Sequence, residues 1–199
     1  MSDRARPALT RLPADAAGVT IVEFALVAPV FLLMLMGMLD FGQMIYGKTI
    51  LSGAVEAAAR SSSLEGGDTA AADALVVDRV KHVLPGVQIV STRTSYYDFA
   101  DIGRSEQWND ANGNGSCDNG EAFTDENSDG DWDREIGVTG NGAANDVVMY
   151  SVRATYAPVF KIPFMPAMWN TRTLNSTAIR KNQPYATQQA YSSTAGTCA

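Results

Sequence analysis

The sequence predicts an α+β fold: a long N-terminal transmembrane helix, a second amphipathic helix and a small antiparallel sheet that carries a loop insertion. Three observations predict it. Residues 19–39 are 21 positions with a single charge, Glu23, and at 1.5 Å per residue such a helix reaches about 30 Å, enough to cross a bilayer. Residues 87–94, much of 147–156, and 173–179 alternate apolar and polar side chains with no helical pattern between them, as strands of an antiparallel sheet do. Between 109 and 136, Asp, Asn and Gly recur at fixed offsets, and the pattern occurs twice.

Length and charge limit the functions available. A chain of 199 residues holds one compact domain plus an anchor. The net charge of -7 supplies no basic face to displace counterions from phosphates, which argues against nucleic acid as a partner. The negative charge is concentrated between Asp98 and Asp146, so that segment asks for a cation.

The first 18 residues carry Arg4, Arg6 and Arg11 against Asp3 and Asp15. The positive-inside bias places this end in the cytoplasm and the remainder outside, in a single pass. No small-x-small cleavage site follows the apolar run, which continues instead into Asp40-Phe41-Gly42, so an anchor fits better than a secretory signal. A plain anchor explains neither the glycine just before the run nor the carboxylate five residues beyond it, whose burial in lipid costs a few kcal/mol.

Those two features carry a resemblance. Gly18-Val19-Thr20-Ile21-Val22-Glu23-Phe24 resembles the type IV prepilin processing site, and the stretch from Gly18 to about Arg60 resembles the TadE-like family, pseudopilins or minor pilins of tight-adherence (Flp, type IVb) pilus systems. The resemblance implies a pilin-like fold in the inner membrane. It also implies cleavage after Gly18 by a prepilin peptidase, a new terminus at Val19, and assembly with other pilins and with membrane components of the pilus machine. Glu23 would become the fifth residue of the processed chain. The terminal ammonium of a neighbouring subunit could neutralise it within the membrane, making assembly depend on prior cleavage. The competing account is a plain signal anchor with Glu23 at the interface.

Past the bilayer, Phe41, Met44, Ile45, Lys48, Leu51, Val55, Ala58 and Ala59 recur at helical spacing and extend the first helix across 40–65. Gly66-Gly67-Asp68 ends that helix and caps a second one, marked by Ala72, Val76, Val80 and Val83 and stopped at Pro85-Gly86. An extracytoplasmic α+β domain is expected over 66–185, its last strand followed by Arg180-Lys181-Asn182-Gln183-Pro184-Tyr185, similar to an ending of TadE-like chains. The tail, 186–199, lacks apolar periodicity and should be mobile unless Cys198 is tethered.

Asp110-Ala111-Asn112-Gly113-Asn114-Gly115, with Glu121 six residues on, fulfils the EF-hand loop pattern, including glycine at position six and glutamate at position twelve. Asp110, Asn112 and Asn114 would give side-chain oxygens, Ser116 a backbone carbonyl, Asp118 a direct or water-mediated contact and Glu121 two oxygens. Hard oxygen donors in such a loop select calcium. A second copy begins 15 residues later with Asp125, Asn127, Asp129, Gly130, Asp131 and Asp133. Its position twelve is Ile136, so its bidentate ligand must come from Glu135 or from elsewhere. One or two calcium ions are therefore expected over 109–136, in EF-hand-like loops that lack long flanking helices and serve structure. The alternative is a solvated acidic linker in which Asn, Asp and Gly make turns.

Cys117 and Cys198 are the only cysteines. In an oxidising compartment one bridge would tie the tail to the acidic loop, and in the cytosol both would remain thiols. Catalytic motifs are absent, and the single histidine, His82, lies in the second helix. An enzyme is not expected. The reading from a different class is a membrane-anchored, calcium-dependent adhesion or ligand-binding module outside any pilus.

Overall fold

The computed structural model of the chain describes residues 16–160, 166–188, 190 and 192–199. Arg4, Arg6, Arg11, Asp3 and Asp15 of the expected leader lie outside the described residues.

Helix α1, Ala16–Ser62, is one continuous helix of 47 residues, about 70 Å long. Pro29 lies inside it without ending it. Its two halves have different surroundings. The first is apolar but for Glu23 and mostly exposed, with Phe24 and Met34 each 71% exposed. The second buries Leu51, Ala54, Val55, Ala58 and Ala59, a stripe at helical spacing that faces the rest of the domain. The helix stops at Ser62, three residues before the expected 65. There the hydroxyls of Ser61, Ser62 and Ser63 donate to the carbonyls of Ala58, Ala59 and Arg60, competing with helical continuation.

Helix α2, Thr69–Lys81, starts at Asp68, whose carboxylate accepts from the Ala70 and Ala71 N–H groups at 2.8 and 3.0 Å, as an N-cap should. It buries Ala72, Val76 and Val80 against α1. The small side chains allow close approach: a Cβ at Gly47 would meet Leu84 at 3.0 Å.

Strands β1 (Gln88–Tyr96), β2 (Ala122–Asp125), β3 (Val138–Thr139), β4 (Val147–Tyr156), β5 (Arg172–Lys181) and β6 (Thr194–Thr197) follow. A four-stranded sheet has the order β3-β1-β4-β5, and a separate ribbon pairs β2 with β6; all pairs are antiparallel. Alternation in β4 and β5 turns Tyr150, Val152, Ala154, Tyr156, Leu174 and Ala178 onto the two helices, forming the core. Hydroxyls such as Ser151 and Thr177 pair across the opposite, exposed face. The expected antiparallel α+β fold is therefore present, with the three expected strands as β1, β4 and β5.

Two polar contacts fix the helices on the sheet. Asp73 of α2 accepts from both terminal nitrogens of Arg93 at 2.8 and 3.0 Å, from Ser91 Oγ at 3.1 Å and from the Tyr150 hydroxyl at 2.5 Å. Burial pushes the Asp73 carboxyl up, but the Arg93 and Tyr150 donors outweigh it and hold it below its ordinary value. At the other end, Asp40 of α1 is 7% exposed and pairs with Arg172 of β5 at 2.8 Å.

The expectation of a mobile tail held only if Cys198 were untethered. Cys198 is joined to Cys117 in a disulfide with a Cα–Cα distance of 5.9 Å, and the residues just before it form β6. Gly196 is required there, because a Cβ would approach the Phe123 ring to 2.4 Å.

Candidate metal centre

Both loops lie between a short 3-10 helix, Phe99–Asp101, and β3, at the edge of the main sheet. In the first, Asp110 Oδ1 accepts from the N–H groups of Gly113 and Asn114 at 2.7 and 3.1 Å, and Oδ2 from Gly115 at 2.9 Å. These donors, Gly115 foremost, hold the Asp110 carboxyl below its ordinary value. Asn112 Oδ1 accepts from the Asn114 N–H and Asn114 Oδ1 from the Ser116 N–H. Both amide nitrogens then reach Asp118 Oδ2 at 2.6 Å. Glu121 closes the loop, accepting from Ala111 N–H and Asp118 N–H at 2.9 Å each. Gly113 and Gly115 have φ of +73° and +77°, values that favour glycine at the turn.

The second loop repeats this wiring. Asp125 accepts from the Ser128 and Gly130 N–H groups, Asn127 Oδ1 from Asp129 N–H, and Asp129 Oδ1 from Asp131 N–H. Asn127 Nδ2 donates to Asp133 Oδ2 at 2.7 Å, as Asn112 does to Asp118. Ser128, with φ +64°, takes the place of Gly113, and Gly130, with φ +92°, that of Gly115. Burial first, and then the charges of Asp129 and Asp131, push the Asp133 carboxyl up, while Asn127 opposes them.

The closing carboxylate is where sequence and structure part. The sequence leaves that ligand to Glu135 or to a residue elsewhere, and Glu135 accepts from the Tyr96 hydroxyl and from Gly103 N–H, away from the loop. The place is taken by Glu106, which is fully buried. Its Oε1 accepts from Glu126 N–H at 2.6 Å and its Oε2 from Asp133 N–H at 3.0 Å. Those are positions two and nine of the second loop, the same two that Glu121 grips in the first.

Strand pairing explains the substitution. Trp108 and Phe123 form an antiparallel bridge, flanked by Asn109 N–H to the Ala122 carbonyl and Thr124 N–H to the Gln107 carbonyl, both at 2.8 Å. Continuing this register by two residues sets Glu106 opposite Asp125 and Glu121 opposite Asp110. Each glutamate therefore stands beside the first aspartate of a loop. The signal was present in the sequence: Glu106 precedes Glu121 by the same 15 residues that separate Asp110 from Asp125. The Trp108 and Trp132 rings meet edge to face at 5.0 Å between the loops.

Asp110, Asn112, Asn114, Asp118 and Glu121 are thus gathered in one loop, and Asp125, Asn127, Asp129, Asp133 and Glu106 in the other. Ser116 and Asp131, both at position seven, engage through their backbone N–H groups. Among the described residues, no three His, Cys, Asp or Glu side chains are grouped so as to hold an ion between them; the loop interiors are closed by amide–carboxylate bonds. The donor set nevertheless suits a hard cation. Each Asn Oδ1 has a second lone pair beyond the one its backbone donor takes, and carboxylate oxygens now bonded to Asn amides are the ones a cation would attract.

The residues expected at the processing site lie at the N-terminal end of α1. Gly18, Val19, Glu23 and Phe24 all fall in the first turns of α1 and are exposed, about 50–65 Å of helix away from its last turn. Residues 18–60 match the family model of TadE-like proteins, which supports the resemblance over α1. No curated protein and no solved structure matches the chain.

Proposed function

We propose that this protein is a TadE-like minor pilin or pseudopilin of a tight-adherence pilus system, anchored in the inner membrane by the first half of α1 and carrying a calcium-stiffened extracytoplasmic head. The observation that carries the reading is the matched stretch, 18–60, which lies within α1 and includes an apolar segment that the rest of the chain leaves uncovered. Such a surface needs lipid or the helices of other subunits to cover it. Prepilin peptidase cleaves after Gly18, and Glu23 in the processed chain meets the new terminus of a neighbour. Partners are other pilins and membrane components of the pilus machine; the role is structural, without catalysis.

Calcium belongs to the head. Asp110, Asn112, Asn114, Ser116, Asp118 and Glu121 hold one ion; Asp125, Asn127, Asp129, Asp131, Asp133 and Glu106 hold a second. The equivalent grip of Glu121 and Glu106 on their loops supports two sites of one design. The ions neutralise carboxylates that otherwise repel one another and fix the insertion against the sheet.

The test is the intact mass of the protein from membranes of cells with and without the peptidase. A chain starting at Val19 only when the peptidase is present supports the pilin reading. Retention of Met1 to Gly18 in both would overturn it and leave a calcium-binding membrane anchor.

A further inference from the structure

We propose that the underside of the head is a lipid-binding surface, with Val159, Phe160 and Trp169 resting in the outer interfacial layer of the same bilayer that α1 crosses. The inference rests on the membrane-anchored reading and adds a second point of contact to it.

The level of this surface follows from α1. If hydrocarbon ends near Leu39, Gln43 lies about 6 Å further out along the helix axis. Each interfacial layer is roughly 5–7 Å thick, from the difference between the whole bilayer and its hydrocarbon core. The connection after β4 is fixed at that height, because Val159 N–H donates to Gln43 Oε1 at 3.2 Å. The return into β5 is fixed by Arg172, which pairs with Asp40 at 2.8 Å and lies 5.1 Å over the Trp169 ring. Both ends of the β4–β5 connection are therefore held beside the first turn of α1 beyond its apolar run.

The side chains presented there are those an interface attracts. Val159 is 59% exposed and Trp169 45%, and Phe160 joins them. On α1 itself Phe41 is exposed within the same layer, and Tyr46 is exposed about one turn further out. A groove of about 640 Å³ lies between these elements and the segment that follows α2, lined by Leu39, Gln43, Tyr46, His82, Val159 and Phe160 among others. Trp and Tyr favour the headgroup boundary, where an apolar ring and a polar atom are both accommodated. The patch is continuous with the lipid-facing surface of α1, so a bilayer that covers one reaches the other, and lipid is the occupant its position selects. Two attachments, the helix and the underside, would fix the tilt of the head relative to the membrane, which a single flexible crossing leaves free.

The full-length chain reconstituted in vesicles tests this through tryptophan fluorescence. Lipids brominated near the top of the acyl chain should quench its emission more than lipids brominated near the chain end, and Trp169→Phe should remove most of that quenching, since Trp108 and Trp132 lie in the loop insertion. Flotation of both variants with the vesicles checks the anchor separately. A chain that does not float overturns the anchored reading and this one with it. A chain that floats but shows no bromolipid quenching attributable to Trp169 overturns the lipid-binding surface alone. Shielding of Trp169 from aqueous iodide that grows with the protein-to-lipid ratio, without bromolipid quenching, would assign the surface to a second copy of the chain and likewise overturn the proposal.

Discussion

Replacing Glu106 with Gln separates the two accounts of how the second loop is closed. Glu106 is fully buried, and each of its oxygens accepts one backbone N–H, from Glu126 and Asp133. In the cation-free protein the amide keeps an oxygen for one of these donors and turns a nitrogen toward the other. Leaving that buried N–H unsatisfied costs about 1–3 kcal/mol. Removing one negative charge from a site that also holds Asp125, Asp129 and Asp133 offsets part of the loss. Stability without calcium should therefore fall by less than that amount. Calcium binding should change a great deal, because the bidentate ligand is gone: a loss of about 1.5–3 kcal/mol of charge-assisted bonding is roughly a 10- to 150-fold weaker site.

Titration calorimetry of the full chain in detergent reads this directly. The wild type should bind two ions; Glu106→Gln should keep the first loop's affinity and lose most of the second's, and Glu121→Gln should do the reverse. Glu135→Gln is the control, since that carboxylate faces Tyr96 and Gly103, and its calcium affinities should match the wild type within about twofold. Two undiminished sites in Glu106→Gln, or loss of the second site in Glu135→Gln, would refute the assignment.

Three other outcomes follow from the same geometry. Asp73→Asn removes the carboxylate bound by Arg93, Ser91 and Tyr150 and should lower stability at neutral pH by about 1–3 kcal/mol. Because the folded Asp73 carboxyl is held below its unfolded value of about 3.9, this contribution is present above that pH and disappears as pH falls through the folded value. The mutant and wild-type melting temperatures should therefore converge in acid. Reducing the Cys117–Cys198 bridge, which spans 81 residues, should cost up to about 4.5 kcal/mol by chain entropy, and should expose amides of β6 to rapid hydrogen exchange while those of β4 stay protected. Acid should release the second loop's ion before the first's. Asp133 is raised by burial and by its acidic neighbours, whereas Asp110 is lowered by backbone donors, and calcium needs both deprotonated. Calcium titrations at descending pH, with Glu121→Gln and Glu106→Gln isolating each loop, check the order; release of the first ion at higher pH would contradict it.

The elements legible in the sequence are those whose burial repeats locally. The stripe of Leu51, Val55 and Ala58, the α2 series Ala72, Val76 and Val80, and the alternation of β4 each show their period within a dozen residues. Strand β6 has no such period: Thr194-Ala195-Gly196-Thr197 becomes a strand because a disulfide 81 residues distant in sequence holds its end and the Phe123 ring covers its glycine. The polar pair Asp40–Arg172 is likewise joined across 132 residues, beyond the reach of any local pattern.

Glu106 was hidden for a subtler reason. An EF-hand loop is read forward from its first aspartate to position twelve, and in the second copy that position is Ile136, whose N–H instead bonds the Arg104 carbonyl at 3.1 Å. The repeat unit in this chain is better written backward, as a glutamate four residues before an aspartate: Glu106 with Asp110, and Glu121 with Asp125. When two such units pair antiparallel about Trp108 and Phe123, each glutamate is delivered to the other unit's aspartate. Glu121 then occupies position twelve of the first loop because that loop joins the two units, and Glu106 serves the second loop from upstream with no such positional name. The second loop is therefore not a degraded copy of the first. The two are halves of one reciprocal arrangement, in which neither unit completes its own loop and the short ribbon between them holds both closing carboxylates.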